Sequence, residues 1–542
     1  MVSNPKPEVK PLYSLITDPA ARFPDRPCAY YNGRVLTYND IDDQSSRFAS
    51  ALVSLGLKRG DRAAIFLPNT PQFVISCFGI LKAGGVVVAC NPLYKERELE
   101  HQLADSGAEF VIASRDTVEG SDLFQSVQGC RSRLRLKYII ATSVTDYLPA
   151  AKRRFARLAG VKNTMRPDTL DFVGLVRSHE PLESLLPVDP EADLAMLQYT
   201  GGTTGLAKGA MLTHFNVYSV TVHATAFLPL SDSDIFLAVL PLFHVYGLIA
   251  NLMIPLYVGA QVLLLPRFHV EDVMKTVQNR KATVFCAVPA MYMAINGHKG
   301  VGSFDLRSVR ICISGGSALP LATRKRFMEN TGGSLVEGYG LSETSALTHC
   351  NPLYEGGYRE GSVGIPFPET DVVIVDVEDP RKVLPLGSVG EVAVKGPQVM
   401  RGYWNNQAES ESAFCDGWFL TGDIGRMDND GYLYVIDRKK DMVNVGGFKV
   451  YPREVEEVLF EHQSIKEAGV VGMPDSFSGE VVKAYVVLKD PSMKLTEDEV
   501  VEFCSRRVAK YKVPKKVVFV PELPKTLIGK VLHRKLREPT SE

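Results

Sequence analysis

QYTGGTTGLAKGAMLTH, residues 198–214, is the stretch on which the reading of this chain turns. It sets glycines (Gly201, Gly202, Gly205, Gly209) and threonines (Thr200, Thr203, Thr204, Thr213) around one lysine, Lys208. Glycines let backbone N–H groups wrap an anion closely. Threonine hydroxyls donate to phosphate oxygens or ligate a hard cation, and a lysine supplies a point charge for a terminal phosphate. A short apolar stretch precedes the loop, so it leaves a strand, and a helix-like stretch follows it. The string is not a Walker A box, because Gly-x-x-x-x-Gly-Lys-Ser/Thr cannot be laid over it, and it is not a GxGxxG turn. A bland linker does not combine this density of glycine and threonine with a closing lysine and a following helix. A phosphate cradle is the better reading.

Outward from the cradle, apolar strands alternate with helices. Residues 62–67, 84–89 and 110–113 read as strands, with helices over 72–82 and 97–105 between them. A second set follows: a strand over 282–287, a helix after Pro289, and a strand over 309–314. This rhythm argues parallel sheets covered on both faces. From about Thr370 the texture turns β-rich, with strands over 372–375, 390–394 and 432–435 between Gly and Pro turns. The charged cluster 437–441 is either a solvated turn or an interdomain hinge. The last hundred residues carry their own pattern: helix 452–461, strands 467–471 and 483–488, helix 496–510. That is the size of a small independent domain.

At 542 residues the chain exceeds a single core. Its 45% hydrophobic and 23% charged residues are ordinary globular composition. The 61 Lys+Arg nearly cancel the 62 Asp+Glu, which gives no global pull toward nucleic acid. Nine scattered cysteines without a CxxC pair fit a reducing compartment. The first residues lack an apolar core of a signal peptide, so the expected location is cytoplasmic. Residues 235–266 contain no Asp, Glu, Lys or Arg, which is long enough to span a bilayer. Pro241, His244, Gly247, Asn251, Pro255, Gly259 and Gln261 break that run, so it reads as strand, helix and strand inside an α/β protein.

Further strings occur in order: Pro241-Leu-Phe-His244, Ser314-Gly-Gly-Ser317, Gly338-Tyr-Gly-Leu-Ser-Glu-Thr344, Thr421-Gly-Asp423, Asp437-Arg438, Gly446-Gly-Phe-Lys449 and Pro524-Lys-Thr-Leu-Ile-Gly-Lys530. Together with the cradle they strongly resemble the adenylate-forming superfamily of acyl-CoA synthetases, firefly-type luciferases and peptide-synthetase adenylation domains. The resemblance covers nearly the whole chain. It implies an α/β fold: a large N-terminal domain, 1–438, with two doubly wound sheets and a small β-barrel, and a smaller mobile α+β domain, 439–542. It implies ATP, Mg2+ and CoA, the last as a substrate.

The resemblance also implies roles. A carboxylate attacks the α-phosphate of ATP and expels pyrophosphate, so the site must supply positive charge and orientation. ATP would be held by Thr200, Gly201, Gly202, Thr203, Thr204, Gly205 and Lys208. The adenine and phosphate side would use Gly315, Gly316, Ser317, Glu337, Gly338, Tyr339, Gly340 and Ser342, with Tyr339 offering a flat face to adenine. Asp423 and Arg438 would take the ribose, while Glu343 and Thr200 would hold Mg2+. Lys530 would bridge the carboxylate and the α-phosphate during adenylation. Rotation about Lys440 would then remove Lys530 and bring in Gly446, Gly447, Phe448 and Lys449 beside CoA. His244 would sit at the carboxylate end of an acyl pocket with Tyr246, Gly247, Gly338 and Ala346. His244 is not a general base, since a carboxylate nucleophile needs no deprotonation at neutral pH.

Residues 240–247 and 262–268, and a basic insert at 146–157, resemble bacterial and archaeal long-chain fatty acid–CoA ligases more than aryl-CoA ligases. The expected activity is therefore a medium- to long-chain fatty acid–CoA ligase. The alternatives are a coumarate-type aryl-acid ligase, an enzyme that passes acyl-AMP to a carrier protein or to oxygen, and a non-catalytic binding protein. Some long-chain enzymes place a tryptophan gate just after the histidine. Here Tyr246 stands in that region, and the only tryptophans are Trp404 and Trp418. Small-molecule substrates and no nucleic acid are the expected partners, with peripheral contact at the inner membrane face and a homodimer left open. The basic insert and the cluster of eleven Lys/Arg over 506–537 are candidates for anion or lipid contact.

Overall fold

The computed structural model describes residues 8–118, 121–158, 168–200, 207–446, 448–475, 478–525 and 531–537. Two large sheets dominate. The first has nine strands, and its centre is parallel: Gln261–Leu264, Ile235–Ala238, Val284–Ala287, Ile311–Ser314 and Ser334–Tyr339 lie side by side in that order. The second has seven, with Leu194–Tyr199, Val86–Ala89, Arg62–Phe66, Phe110–Ser114 and Tyr138–Thr142 parallel in that order. The alternation expected from sequence is present, with strand ends shifted by one or two residues.

One core joins both sheets. The helix Pro71–Lys82 is buried along its entire length. A helix that is apolar all round has no solvent face, and this one places Phe73, Val74 and Phe78 in the shared core. Its one cation, Lys82, is buried and reaches Asp42 Oδ1 at 2.6 Å and Ser45 Oγ at 2.9 Å. Burial therefore comes with pairing, as a buried charge requires.

The β-rich segment forms an antiparallel sheet in the order Asp371–Val375, Gly390–Lys395, Trp418–Met427, Phe414–Cys415, with Leu433–Arg438 also on Trp418–Met427. The pairings among the described residues leave it open where a barrel was expected. The charged cluster is no solvated turn at its start, because Asp437 and Arg438 end the strand Leu433–Arg438. Asp437 is bonded by the backbone N–H of Arg453 at 2.8 Å, and burial raises its carboxyl to about 6.

The C-terminal part has a separate mixed sheet, in which Ile465–Asp475 and Gly479–Leu488 are the long antiparallel pair. Val455, Leu459, Val470, Val486 and Val500 form its own core.

The charge-free run folds as strand Ile235–Ala238, helix Val245–Leu248, a π-helical turn Ile249–Met253, helix Ile254–Val258 and strand Gln261–Leu264. Among the described residues no helix is long and apolar enough to cross a membrane. All nine cysteines are free thiols.

Candidate active site

The strands on either side of the glycine-rich segment pair with each other. Leu194–Tyr199 pairs antiparallel with Gly209–Thr213, and the Thr200 N–H donates to the Lys208 carbonyl at 2.9 Å, closing the loop's base. Lys208 is thus followed first by a strand, and the helix His214–Phe227 comes after it. Thr213 belongs to that helix: its hydroxyl accepts from the Asn216 N–H at 3.1 Å in a reciprocal cap. It is spoken for as a phosphate donor. Gly201, Gly202, Thr203, Thr204 and Gly205 lie outside the described residues, as do Gly447 and Lys530.

Both hairpin strands lie against the short turn Ser342–Thr344, which presents Glu343. On its other side Gly209–Thr213 is flanked by residues 400–404. Met211 N–H donates to the Gly402 carbonyl at 2.9 Å, and Trp404 N–H to the Gly209 carbonyl at 2.8 Å. This added segment delivers Tyr403. Its hydroxyl donates to Glu343 Oε1 at 2.8 Å, and Lys208 Nζ stands 5.3 Å from its ring centre. Lys208 also pairs with Glu409 Oε2 at 2.6 Å. Burial and the neighbouring Glu343 carboxylate push the Tyr403 phenol well up, so it stays a donor. Tyr403 and Glu409 escaped the sequence reading. Only the adjacent aromatics Tyr403-Trp404 in an otherwise polar stretch would have signalled them.

Asp423 is buried between two donors. Tyr339 Oη donates to its Oδ2 at 2.6 Å, and Arg438 Nε meets its Oδ1 at 2.7 Å. Asp423 and Arg438 face each other across neighbouring strands, which fixes the pair in the sheet register. The Asp423 carboxylate holds the Arg438 guanidinium firmly charged. A carboxylate has about four lone-pair sites, so Asp423 keeps acceptor capacity beyond these two bonds. Lys440 lies exposed nearby; desolvation and Arg438 lower its ammonium, against the pull of Asp441, Asp423 and Glu343. Lys440 therefore faces the same carboxylates as Arg438.

The glycine-rich strings serve packing. A side chain at Gly340 would place its Cβ 2.0 Å from the Ala346 carbonyl oxygen, and one at Gly247 would meet the Pro241 carbonyl at 2.2 Å. Gly315 is covered by the Tyr246 ring, where a Cβ would sit 3.0 Å away, while Gly316 and Ser317 are exposed beyond the strand end. Gly338 packs on Ile313, and Ser342 is half-buried. Glu337 is buried and accepts from Tyr358 Oη at 3.2 Å, while its Oε2 has no partner. Burial raises this carboxyl to about 7.

His244 caps the helix Val245–Leu248, its Nδ1 accepting from the Tyr246 N–H at 3.2 Å. Burial lowers its imidazole to about 4, so it is neutral at pH 7. Behind it the buried Tyr246 donates to the Ile313 carbonyl at 2.8 Å. Tyr246 walls a narrow apolar cavity of ≈ 10 Å³ with Phe236, Ala250, Cys286, Leu347 and Cys350. Gly247, Gly338 and Ala346 are not among its walls. The cavity touches Ile313 and Cys350, on the strands that flank the one carrying Tyr339.

In the C-terminal part, Val443–Val445 and Phe448–Val450 form a hairpin around Gly446, which has φ 59°. Phe448 is exposed and stacks on Tyr511 at 4.7 Å, and Lys449 pairs with Glu378 at 3.2 Å. The basic cluster over 506–537 is in good part consumed by pairing: Lys512 with Glu454, Lys525 with Glu467, and Arg537 with Asp441.

Comparison with known proteins adds to this geometry. The AMP-binding enzyme family matches residues 16–404, and the AMP-binding enzyme C-terminal domain matches 454–530. A long-chain-fatty-acid–CoA ligase of Bacillus subtilis is 43% identical over 98% of this chain and 95% of its own length. The 4-coumarate–CoA ligase CCL1 of Humulus lupulus is 32% identical over 98% of this chain and 94% of its own. Among solved structures, ATP-bound MatB from Rhodopseudomonas palustris superposes with a TM-score of 0.86 at 28% identity, covering 97% of this chain and 98% of that one.

Proposed function

The chain belongs to the AMP-binding enzyme family, and on that premise we propose that it is an ATP-dependent fatty acid–CoA ligase favouring medium to long chains. Carboxylate and ATP give acyl-AMP and pyrophosphate; the CoA thiol then attacks the acyl carbonyl and releases AMP. The observation that carries the reading is adjacency. Asp423, paired with Arg438, is bonded by Tyr339 at the end of the strand Ser334–Tyr339, and a wholly apolar cavity reaches Ile313 and Cys350 on the two strands that flank it. An acyl tail is held by apolar burial worth ~0.8 kcal/mol per CH2, and its charged head must end where phosphate chemistry happens. The greater similarity to the fatty-acid ligase than to the coumarate ligase points the same way.

Asp423 takes the ribose hydroxyls, its second oxygen steadied by Arg438, and Tyr339 flanks the base. Lys208 lies at the cradle's base, where it can leave Glu409 for a phosphate. Glu343 and Thr200 are hard oxygen donors of the kind Mg2+ accepts, and Tyr403 already orients one Glu343 oxygen. These two residues would hold Mg2+, which when bound neutralises phosphate charge. His244, neutral and fixed by its cap, orients the incoming acid. Lys530 stabilises charge during adenylation. The unit 439–542 then turns about Lys440 to present Gly446, Gly447, Phe448 and Lys449 to CoA. A reducing, cytoplasmic setting suits nine free thiols.

The test is CoA-dependent AMP release with acids from acetate to oleate plus 4-coumarate. We expect kcat/KM to rise with chain length past octanoate and 4-coumarate to be poor. A preference for 4-coumarate would transfer the assignment to the aryl-acid class, and adenylation without thioester formation would favour delivery to a carrier.

A further inference from the structure

The helix Ala150–Leu158 stands apart from the rest of the surface. Phe155 and Leu158 are 73% and 79% exposed, the highest of the exposed large apolar side chains among the described residues. At 100° per residue, Ala151, Phe155 and Leu158 fall within about 60° of one another on one outward face. Arg153 and Ala156 lie on the opposite, half-buried side. Arg154 and Lys152 flank the apolar face on its two edges, and the helix contains no acid. Lys152 Nζ donates to the Asn32 carbonyl at 2.9 Å, and Gly33 packs on Pro149, so the helix is anchored to the neighbouring hairpin turn.

Beside this anchor is a polar recess of ≈ 360 Å³ lined by Arg34, Arg47, Arg177, Asp43 and Asp146. Its acids are already engaged, Asp43 by Arg47 at 2.8 Å and Asp146 by Arg115 at 3.3 Å. Arg34 and Arg177 thus extend the positive border of the helix.

We propose that this face docks on an anionic phospholipid surface, with Phe155 and Leu158 entering the acyl boundary and the basic side chains facing phosphate headgroups. Exposed apolar side chains bordered by cations, without acids, match an anionic bilayer in charge as well as polarity. A protein partner would also have to supply a matching acidic rim. Topology gives the docking a consequence. The strand Tyr138–Thr142, which leads into the helix, runs parallel to Leu194–Tyr199, which leads into the cradle. Both leave the same sheet edge, four strand spacings or roughly 19 Å apart. The face would hold that edge toward the layer in which fatty acids partition.

The proposal is independent of the ligase reading, because its test reads vesicle binding. Full-length protein is floated with vesicles of phosphatidylglycerol and phosphatidylcholine at equal parts, and with phosphatidylcholine alone. We expect binding to the anionic vesicles, at least ten-fold weaker on pure phosphatidylcholine and weakened by 0.5 M NaCl. Phe155→Ser with Leu158→Ser should lower binding about ten-fold or more, and Lys152→Gln with Arg154→Gln should lower it on the order of ten-fold through lost charge. Pyrophosphate release with octanoate should stay unchanged in both variants. Failure of wild type to float, or equal flotation of the apolar variant, overturns the proposal. So does a wild-type dimer in light scattering that becomes monomeric in the apolar variant while flotation is unaffected, since the face would then be covered by a second copy.

Discussion

The sides of this site proposed for the nucleotide and for the acyl chain are built on opposite principles. On the proposed nucleotide side, polar groups are paired with one another: Asp423 with Arg438, fixed by sheet register, and with Tyr339, Glu343 with Tyr403, and Lys208 with Glu409. On the acyl side there is one tyrosine hydroxyl bonded to a backbone carbonyl, and otherwise apolar packing around a cavity of ≈ 10 Å³. Polar preorganisation is directional, so one altered atom should cost much. Apolar burial is additive, so changes there should be graded and should sort substrates by length.

The sharpest break of that contrast is on the polar side. Lys530→Ala should abolish acyl-AMP formation, a loss of about 10³ or more, while thioester formation from supplied acyl-AMP persists; equal loss of both half-reactions, measured separately, would remove the alternation from the account. Asp423→Ala comes next. It should raise the KM for ATP on the order of 10²-fold and also lower stability by roughly 3 kcal/mol, because Arg438 is left without its carboxylate. Isothermal titration with ATP and thermal melts read the two effects. Filling the cavity with Ala250→Leu should behave differently. The longest acids should lose kcat/KM by on the order of ten-fold while octanoate and the KM for ATP hold steady, consistent with ~0.8 kcal/mol per methylene. A uniform loss over all chain lengths would mean that the cavity is no part of the tunnel.

The smallest effect concerns Glu337. Burial raises its carboxyl to about 7 from an ordinary value near 4.5. The native state therefore holds a proton that the unfolded chain releases between those values, so this contribution to stability is present below about 4.5 and is lost as pH rises through 7. Glu337→Gln should raise Tm by a few degrees at pH 8 relative to wild type and leave it near unchanged at pH 4.5. An unchanged Tm difference across that range, in scanning calorimetry, would show that the carboxyl is charged in the native protein.

The same contrast explains what was legible in the sequence. Asp423, Glu343 and Arg438 could be marked because they stand in strings that resemble the family's, and the structure gathers them. Gly247, Gly338 and Ala346 were expected to wall the acyl pocket, yet the apolar cavity is walled by their near neighbours Ala250 and Leu347 and by Phe236, Cys286 and Phe367 from separate segments, whose side-chain directions carry no local signature. Gly340 and Gly247 answer to close backbone approach, a constraint invisible before the chain is folded. Tyr403 was missed for a related reason: it reaches Glu343 only because residues 400–404 are added to the edge of the cradle hairpin. The α/β alternation was readable because short apolar strands and breakers are local, whereas the open pairing of the β-rich sheet is not.

ATP seated in the 198–214 segment should be attacked at its α-phosphate by a fatty carboxylate. Exchange of labelled pyrophosphate into ATP, with palmitate present and CoA withheld, tests it most directly. Exchange should require both palmitate and Mg2+ and should not require CoA. Exchange that ignores palmitate, or none at all until CoA is added, would contradict it.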